Sequence, residues 1–483
     1  MSWKTRCRRW LKSTGIILLI GVCFGAAAAV QSVQPAFRAD RILIQSKAGA
    51  SAADLRQFQA LRQSEILSSF ASIRGLQVIE VPAGETVTNL IAQYQRSGLV
   101  EFAEPDYVGH VFDTKPNEVA FTNGTLWGLN TISAPAAWDI VTSATNIIVA
   151  VIDTGVLYGH EDLASNMWTK ISDGSHGWNV VAGNNDPNDD SGHGTGVAGI
   201  LGAVGNNGKG VVGVCWRTQI LAYKAFNNFG LGSVSQAIAG LEFAKTNGAR
   251  ILNASWGFPA SLALSNAVYS LRASNIIVVA ACGNSTANID VAPTYPASYP
   301  FDNVVTVAST SASDVLSASS NYGVTNVALA APGESIYSTF AASPSFYLAQ
   351  SGTSFAAPYV SGACALLMAQ YPSDTYQETI ARLLSSTDAL PSLAGKCRTG
   401  GRLNLRKALR TIQVAALAGT TNTPFQMRVA GGLSRTVTVE ATTDFIAWTP
   451  VFTNTTTTNS AFNFSDNQTT NFPKRFFRVT AAP

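Results

Sequence analysis

Ile147-Ile148-Val149-Ala150-Val151-Ile152-Asp153-Thr154-Gly155 is an unbroken apolar run that ends on a carboxylate, a hydroxyl and a glycine. A continuous Ile/Val/Ala run without alternation predicts a strand buried on both faces, as in a parallel sheet covered by helices. Working outward, similar runs occupy Gln219–Phe226, Arg250–Ser255, Ile276–Ala281 and Val304–Ala308. Apolar residues at helical spacing fill Gly194–Val204, Ser233–Lys245, Leu262–Ala273 and Phe355–Gln370. This alternation predicts an α/β domain over residues 118–412, built on a doubly wound, mostly parallel sheet. In open sheets of that kind, ligands bind beyond the carboxyl ends of the strands. Asp153 stands at such an end, and a carboxylate there is costly to bury unless something pairs with it.

The chain has four histidines, His110, His160, His176 and His193. His193 lies in Gly192-His193-Gly194-Thr195-Gly196, where a helical pattern begins. Ser354 lies in Ser351-Gly352-Thr353-Ser354-Phe355-Ala356-Ala357-Pro358, again at the start of an apolar helix. Asn284 follows Gly283 at the end of the strand Ile276–Ala281. Each has an ordinary structural reading taken singly: a turn carboxylate, a helix-start histidine, an N-cap serine, an Asn-Gly turn. Taken together, Asp, His and Ser follow one another in the order of one convergent form of the hydrolytic triad. Each stands in a fitting local context: strand–Asp–Thr–Gly, Gly–His–Gly–Thr, and Gly–Thr–Ser–x–Ala–x–Pro.

Over Trp127–Ile412 the sequence therefore resembles the subtilisin-like serine proteases. That resemblance implies Ser354 as nucleophile, His193 as general base, Asp153 as its orienting carboxylate and Asn284 as the oxyanion-hole side chain. It implies Ser255, Trp256 and Gly257 as the strand that binds an extended substrate backbone. Ala281, Cys282 and Gly283 would form the other wall of the pocket, with Cys282 a thiol open to mercurials and Trp256 narrowing the cleft. Asp162 and Asn207 match a calcium-ligand pair, and calcium favours such carboxylate and amide oxygens. The acidic cluster Asp186, Asp189 and Asp190 is read as a solvated loop in preference to a further ion site. Gly196 and Phe355 depart from the family pattern, which often has histidine and methionine at those places. No organic cofactor is implied. The expected partners are protein or peptide substrates and the chain's own propeptide, with the enzyme itself a monomer.

Composition restricts the alternatives. Of 483 residues, 46% are hydrophobic and only 13% charged, so the chain is neither disordered nor a polyelectrolyte. The formal charge of +3 is too small for a nucleic-acid binder, and it is unevenly placed. Five basic residues lie within 1–30, residues 31–115 hold eight basic and nine acidic groups, and 116–483 are left at −1. Gly194-Thr195-Gly196-Val197-Ala198-Gly199 fits a dinucleotide fingerprint formally, but it follows a polar loop where that fingerprint follows a strand. The presence of all four chemical groups argues against an inactive scaffold of the same fold.

Residues 1–30 join Lys4, Arg6, Arg8, Arg9 and Lys12 to a short apolar run ending in Ala26-Ala27-Ala28-Ala29. This is the form of a secretory signal peptide, too short to span a bilayer, and it predicts an exported protein with no membrane span after its removal. Attachment through Cys23 is a minor alternative, since Val22 stands where a small residue is expected. Cys215, Cys282, Cys364 and Cys397 would remain, and both two disulfides and four buried thiols are compatible with the spacing.

Residues 38–112 carry a strand–helix–strand–helix–strand pattern, with helices read over Ala52–Phe70 and Thr86–Arg96. Val100-Glu101-Phe102-Ala103-Glu104-Pro105-Asp106-Tyr107 resembles the inhibitory, folding-assisting propeptide of the same family, which implies a ferredoxin-like α+β module. Self-cleavage is expected between Gly109 and Trp127. Residues 420–483 are rich in Thr, Asn and Phe, and they predict a small all-β module.

Overall fold

The computed structural model describes residues 37–108, 114–417, 424–431, 436–455, 461–468 and 474–481. The expected signal peptide, His110 and part of the expected cleavage region lie outside the described residues. The chain divides into two compact units, one ending at Phe112 and the other beginning at Asp113.

In the first unit, a four-stranded antiparallel sheet runs in the order Ile66–Phe70, Leu76–Glu80, Phe37–Ser46, Val100–Tyr107. Helices Ala52–Leu61 and Val87–Ser97 complete a split β-α-β arrangement of ferredoxin type. Ser51 and Thr86 cap the helices by accepting from the N–H groups of Asp54 and Asn89. Ile42, Ile44, Ile79, Leu90 and Tyr94 form the core. The helix expected over Ala52–Phe70 is shorter than its pattern suggested. It stops at Leu61, Gln63 takes a left-handed φ of 53°, and Ile66–Phe70 pairs as an edge strand with Leu76–Glu80.

The second unit is organised by a nine-stranded sheet. Its order is Asp388–Ala389, Gly401–Arg402, Leu329–Pro332, Val304–Thr310, Ile277–Ala281, Ile251–Ala254, Ser143–Asp153, Arg217–Lys224, Gly177–Asn179. Every neighbouring pair is parallel except the short Asp388–Ala389 edge. From Ser143–Asp153 the chain adds strands first on one side and then, from Ile251–Ala254, on the other. The point of reversal lies between these two strands, which is where such sheets open a crevice at their carboxyl ends. Asp153 and Ser255 stand at that place. Helices His193–Gly202 and Thr353–Gln370 pack against one face, and nearly all of the second is buried.

The C-terminal segment forms two three-stranded antiparallel sheets around Met427, Val429, Val437, Val439 and Phe464. It is anchored to the α/β body at the helix Tyr376–Ser385. Arg382, wholly buried, pairs with Asp374 at 2.6 Å and donates to the carbonyls of Thr411 and Ala430. Its guanidinium lies over the Tyr371 ring, 3.7 Å from the centroid. Arg428 reaches back to Glu378 at 2.5 Å. No helix among the described residues is long and apolar enough to cross a membrane.

Candidate active site

The central strand delivers Asp153 to the crevice almost fully buried, at 2% exposure. Its Oδ1 accepts from the N–H of Thr154 and faces His193 Nδ1, both at 2.7 Å. His193 is the first residue of its helix, and about a third of its side chain faces the crevice. Burial favours the neutral imidazole. The charge and hydrogen bond of Asp153, with the charge of Asp189, outweigh it and raise the His193 pKa above its ordinary 6.5. With Nδ1 held by a carboxylate, Nε2 is the nitrogen left to exchange protons.

Ser354 occupies the first turn of Thr353–Gln370, where backbone N–H groups have no intrahelical partner. Its Oγ donates to the carbonyl of Ser255 at 3.2 Å, a contact it must give up to reach the imidazole. The preceding Gly352 has φ 143°, and a Cβ on it would sit 3.1 Å from Asn284 Nδ2. A side chain there would press on the Asn284 amide and strain the backbone. Asn284 Oδ1 accepts twice from Thr353, from N at 2.8 Å and Oγ1 at 3.0 Å. This fixes the amide so that Nδ2 faces the same turn that carries Ser354.

Trp256 and Gly257 prolong the Ile251–Ala254 strand past its last paired residue. The Trp256 indole donates to the carbonyl of Ile152 at 2.8 Å and packs with Phe226 and Phe258. A cleft of about 430 Å³ lies here, lined by Asp153, His193, Phe226, Ser255, Trp256 and Gly257 among others. Gly283 donates to Thr353 Oγ1 at 3.0 Å, beside the turn that carries Ser354, while Ala281 is buried and neither residue lines this cleft. The Cys282 side chain does not line the cleft, contrary to expectation. It is fully buried among core residues, its Sγ lies 3.1 Å from the carbonyl of Asn321, and burial pushes the thiol up to about 12. Cys215, Cys364 and Cys397 are likewise free and buried.

Of the other histidines, His160 is bonded to the carbonyl of Phe346 and His176 to that of Trp168. Neither belongs to the crevice. A Cβ on Gly196 would lie 2.4 Å from Gln350 Oε1 and 3.2 Å from the Phe355 ring, so a side chain there requires the Gln350 amide to swing aside. The ring of Phe355 packs beside the imidazole of His193 at 5.4 Å between centroids, so the two departures from the family pattern adjoin each other.

Asp162 and Asn207 meet in a separate cluster, Asn207 Nδ2 donating to Asp162 Oδ1 at 2.8 Å. The sequence reading missed a third member, Glu118, which accepts from the N–H of Asn207 at 2.7 Å. Glu118 and Asp162 are both fully buried, and Glu118 Oε2 has no partner. Burial raises the Glu118 pKa, and the charge of Asp162 adds to the rise. Two buried carboxylates with an unsatisfied oxygen fit a hard cation that takes oxygen ligands. Among the described residues no group of three or more His, Cys, Asp or Glu is arranged to hold a metal, so amide and backbone oxygens would have to complete such a shell.

The acidic loop is solvated, as expected, at Asp186 and Asp190, which are exposed, but not at Asp189. Asp189 is buried under four hydrogen bonds, Asp190 pairs with Lys224 at 2.6 Å, and Asp186 accepts from Tyr158.

Residues 144–414 match the subtilase family, peptidase S8, and residues 25–106 match the fervidolysin N-terminal prodomain. Thermitase of Thermoactinomyces vulgaris is 36% identical over 61% of this chain and 99% of its own. A thermophilic serine proteinase of Bacillus sp. (strain AK1) is 36% identical over 59% of this chain and 67% of its own. Among solved structures, a protease of Pseudoalteromonas arctica superposes with a TM-score of 0.52 at 28% identity, covering 61% of this chain and 98% of that one.

Proposed function

Because the chain belongs to the subtilase family and is a subtilisin-type serine endopeptidase with an N-terminal prodomain, we propose that it cuts peptide bonds through Asp153, His193 and Ser354. The observation that carries this reading is the 2.7 Å contact between Asp153 Oδ1 and His193 Nδ1, at the switch point of the sheet and beside the helix start that holds Ser354.

In this mechanism the Ser354 hydroxyl leaves the Ser255 carbonyl and gives its proton to His193 Nε2 while Oγ attacks the scissile carbonyl. Asp153 holds the Nδ1 proton and stabilises the imidazolium without taking a proton itself. The oxyanion is met by Asn284 Nδ2 and the free N–H of Ser354, with the helix N-terminus adding its dipole. The imidazolium protonates the departing amine, and water then hydrolyses the Ser354 ester by the same route in reverse. Ser255–Gly257 and Ala281–Gly283 would hold the substrate backbone between them.

The same reading has the protein made with a removable leader, exported, and released from residues 38–112 by its own cleavage between Gly109 and Trp127. Calcium bound through Asp162, Asn207 and Glu118 would supply only structural stability, by neutralising the two buried carboxylates. The test is to express wild type and Ser354→Ala and compare their N-termini by mass spectrometry, with fluorophosphonate labelling of the wild type. Self-processing and labelling in the wild type alone are expected; identical processing in both would refute autocatalysis.

A further inference from the structure

We propose that Asp189 is a positioning residue for His193, locking the start of the helix that carries the histidine to the end of the strand that carries Asp153. The inference rests on the reading of His193 as general base.

Asp189 is 4% exposed and spends each carboxylate oxygen on a different element. Oδ1 accepts from Thr154 Oγ1 and Ser191 N, both at 2.9 Å. Oδ2 accepts from Thr195 N at 2.9 Å and Thr195 Oγ1 at 2.6 Å. Thr154 is the residue after Asp153, and Thr195 is two after His193. Thr154 Oγ1 also accepts from Gly194 N at 3.0 Å, which closes a ring of hydrogen bonds through the neighbours of both residues.

The charges around His193 are few. Asp153 touches it, and Asp189 stands behind Thr154. Lys224 donates to the Thr154 carbonyl and to Asp190, each at 2.6 Å, so the buried cation is matched to Asp190. Asp186 is engaged by Tyr158. From the Thr353–Gln370 helix come Ser354 and Phe355, both uncharged. Asp189 is thus a second fixed negative charge near the imidazole, and it acts with Asp153 against burial in holding the imidazolium.

Two consequences follow. A carboxylate accepts on both oxygens, whereas an amide turns one of them into a donor facing donors. Asp189→Asn therefore breaks one side of the ring, and a displaced general base costs up to ~100-fold in rate. Removing the charge also lowers the pKa of His193.

The experiment measures kcat and KM on a peptide substrate across pH, with active sites counted by fluorophosphonate titration. Asp189→Asn is expected to lose ~10–100-fold in kcat per labelled site, with KM little changed and the acid limb moved to lower pH. Thr154→Val, which opens the ring but keeps the Asp189 charge, should lose kcat without moving the acid limb, and Thr154→Ser should restore it. Wild-type kcat per site and an unmoved acid limb in Asp189→Asn would overturn the proposal. If that variant does not fold, equal kcat in Thr154→Val, Thr154→Ser and wild type overturns it instead. His193→Ala separates the two readings: activity retained there removes the general base and this proposal with it, while a dead His193→Ala beside a normal Asp189→Asn removes the proposal alone.

Discussion

Pro358 and Ser255 together decide what the carbonyl of Ser354 does. Pro358 stands four residues along the same helix, where an ordinary residue would donate to that carbonyl, and it has no N–H to give. Ser255 Oγ takes the vacant place at 2.8 Å and itself accepts from Asn253 Nδ2 at 2.9 Å. Asn253 Oδ1 is met in turn by Ser361 Oγ at 2.8 Å. The backbone of the nucleophile thus hangs on a buried polar chain that crosses from the helix to the neighbouring strand. Ser255→Ala leaves the Ser354 carbonyl unpartnered and should destabilise the fold by roughly 1–3 kcal/mol. Urea unfolding in a Ser354→Ala background, where autolysis is absent, measures this.

The acid limb of kcat/KM should reflect His193. Its imidazole must be neutral to accept the Ser354 proton, and its pKa is raised above 6.5, so activity should fall on acidification from a midpoint above that value. Asp153→Asn removes the principal cause of the rise. The acid limb should then move to lower pH while kcat drops by about 10⁴-fold, because the tautomer is no longer fixed. An unmoved limb would count against His193 as the titrating base.

Calcium should stabilise the protein without entering the chemistry. At a calcium concentration about a hundredfold above Kd the gain is ~2.7 kcal/mol, which corresponds to roughly 3–5 °C in Tm for a unit of this size. Glu118→Gln and Asp162→Asn should each shrink the difference between Tm with calcium and Tm with chelator. Calorimetry of Ser354→Ala protein in both conditions decides it.

The four thiols should be silent in the native state. Cys215, Cys282, Cys364 and Cys397 are free and buried, and burial pushes the first three up to about 12. Reactivity follows the accessible thiolate. Ellman's reagent should therefore find no rapidly reacting group among them in folded enzyme and all four in guanidinium, and mercurials should not inhibit through Cys282.

Asp153, His193, Ser354 and Asn284 stand out in the sequence as candidates because each stands at a local discontinuity, where an apolar run ends or a helix begins. The parallel sheet was legible for a similar reason, since its buried strands are unbroken Val/Ile/Ala runs. Leu329–Pro332 passed unread because four residues ending in proline carry no periodicity. Ile66–Phe70 was read as helix because its apolar spacing suits either period, and only pairing with Leu76–Glu80 decides between them. The supports of the site were the least legible. Lys224 closes an apolar strand like any solvent-facing end, and Asp189 sits in an acidic loop. What buries them is a partner many residues away: Asp190 for Lys224, and Thr154 for Asp189. Glu118 was hidden for the same reason, being joined to Asn207 across the chain.

The buried Arg382 gives the C-terminal sheets a meaning beyond that of an appendage. One of its acceptors, the carbonyl of Ala430, belongs to the C-terminal sheets, and another, that of Thr411, stands at the edge of the α/β body. Stripping the sheets away would take the Ala430 carbonyl from a wholly buried guanidinium and uncover its pair with Asp374, so loss of the sheets should weaken the body they leave. Heating should therefore melt the α/β body and the C-terminal sheets in a single cooperative transition, and limited proteolysis of the native protein should not release the sheets ahead of the body.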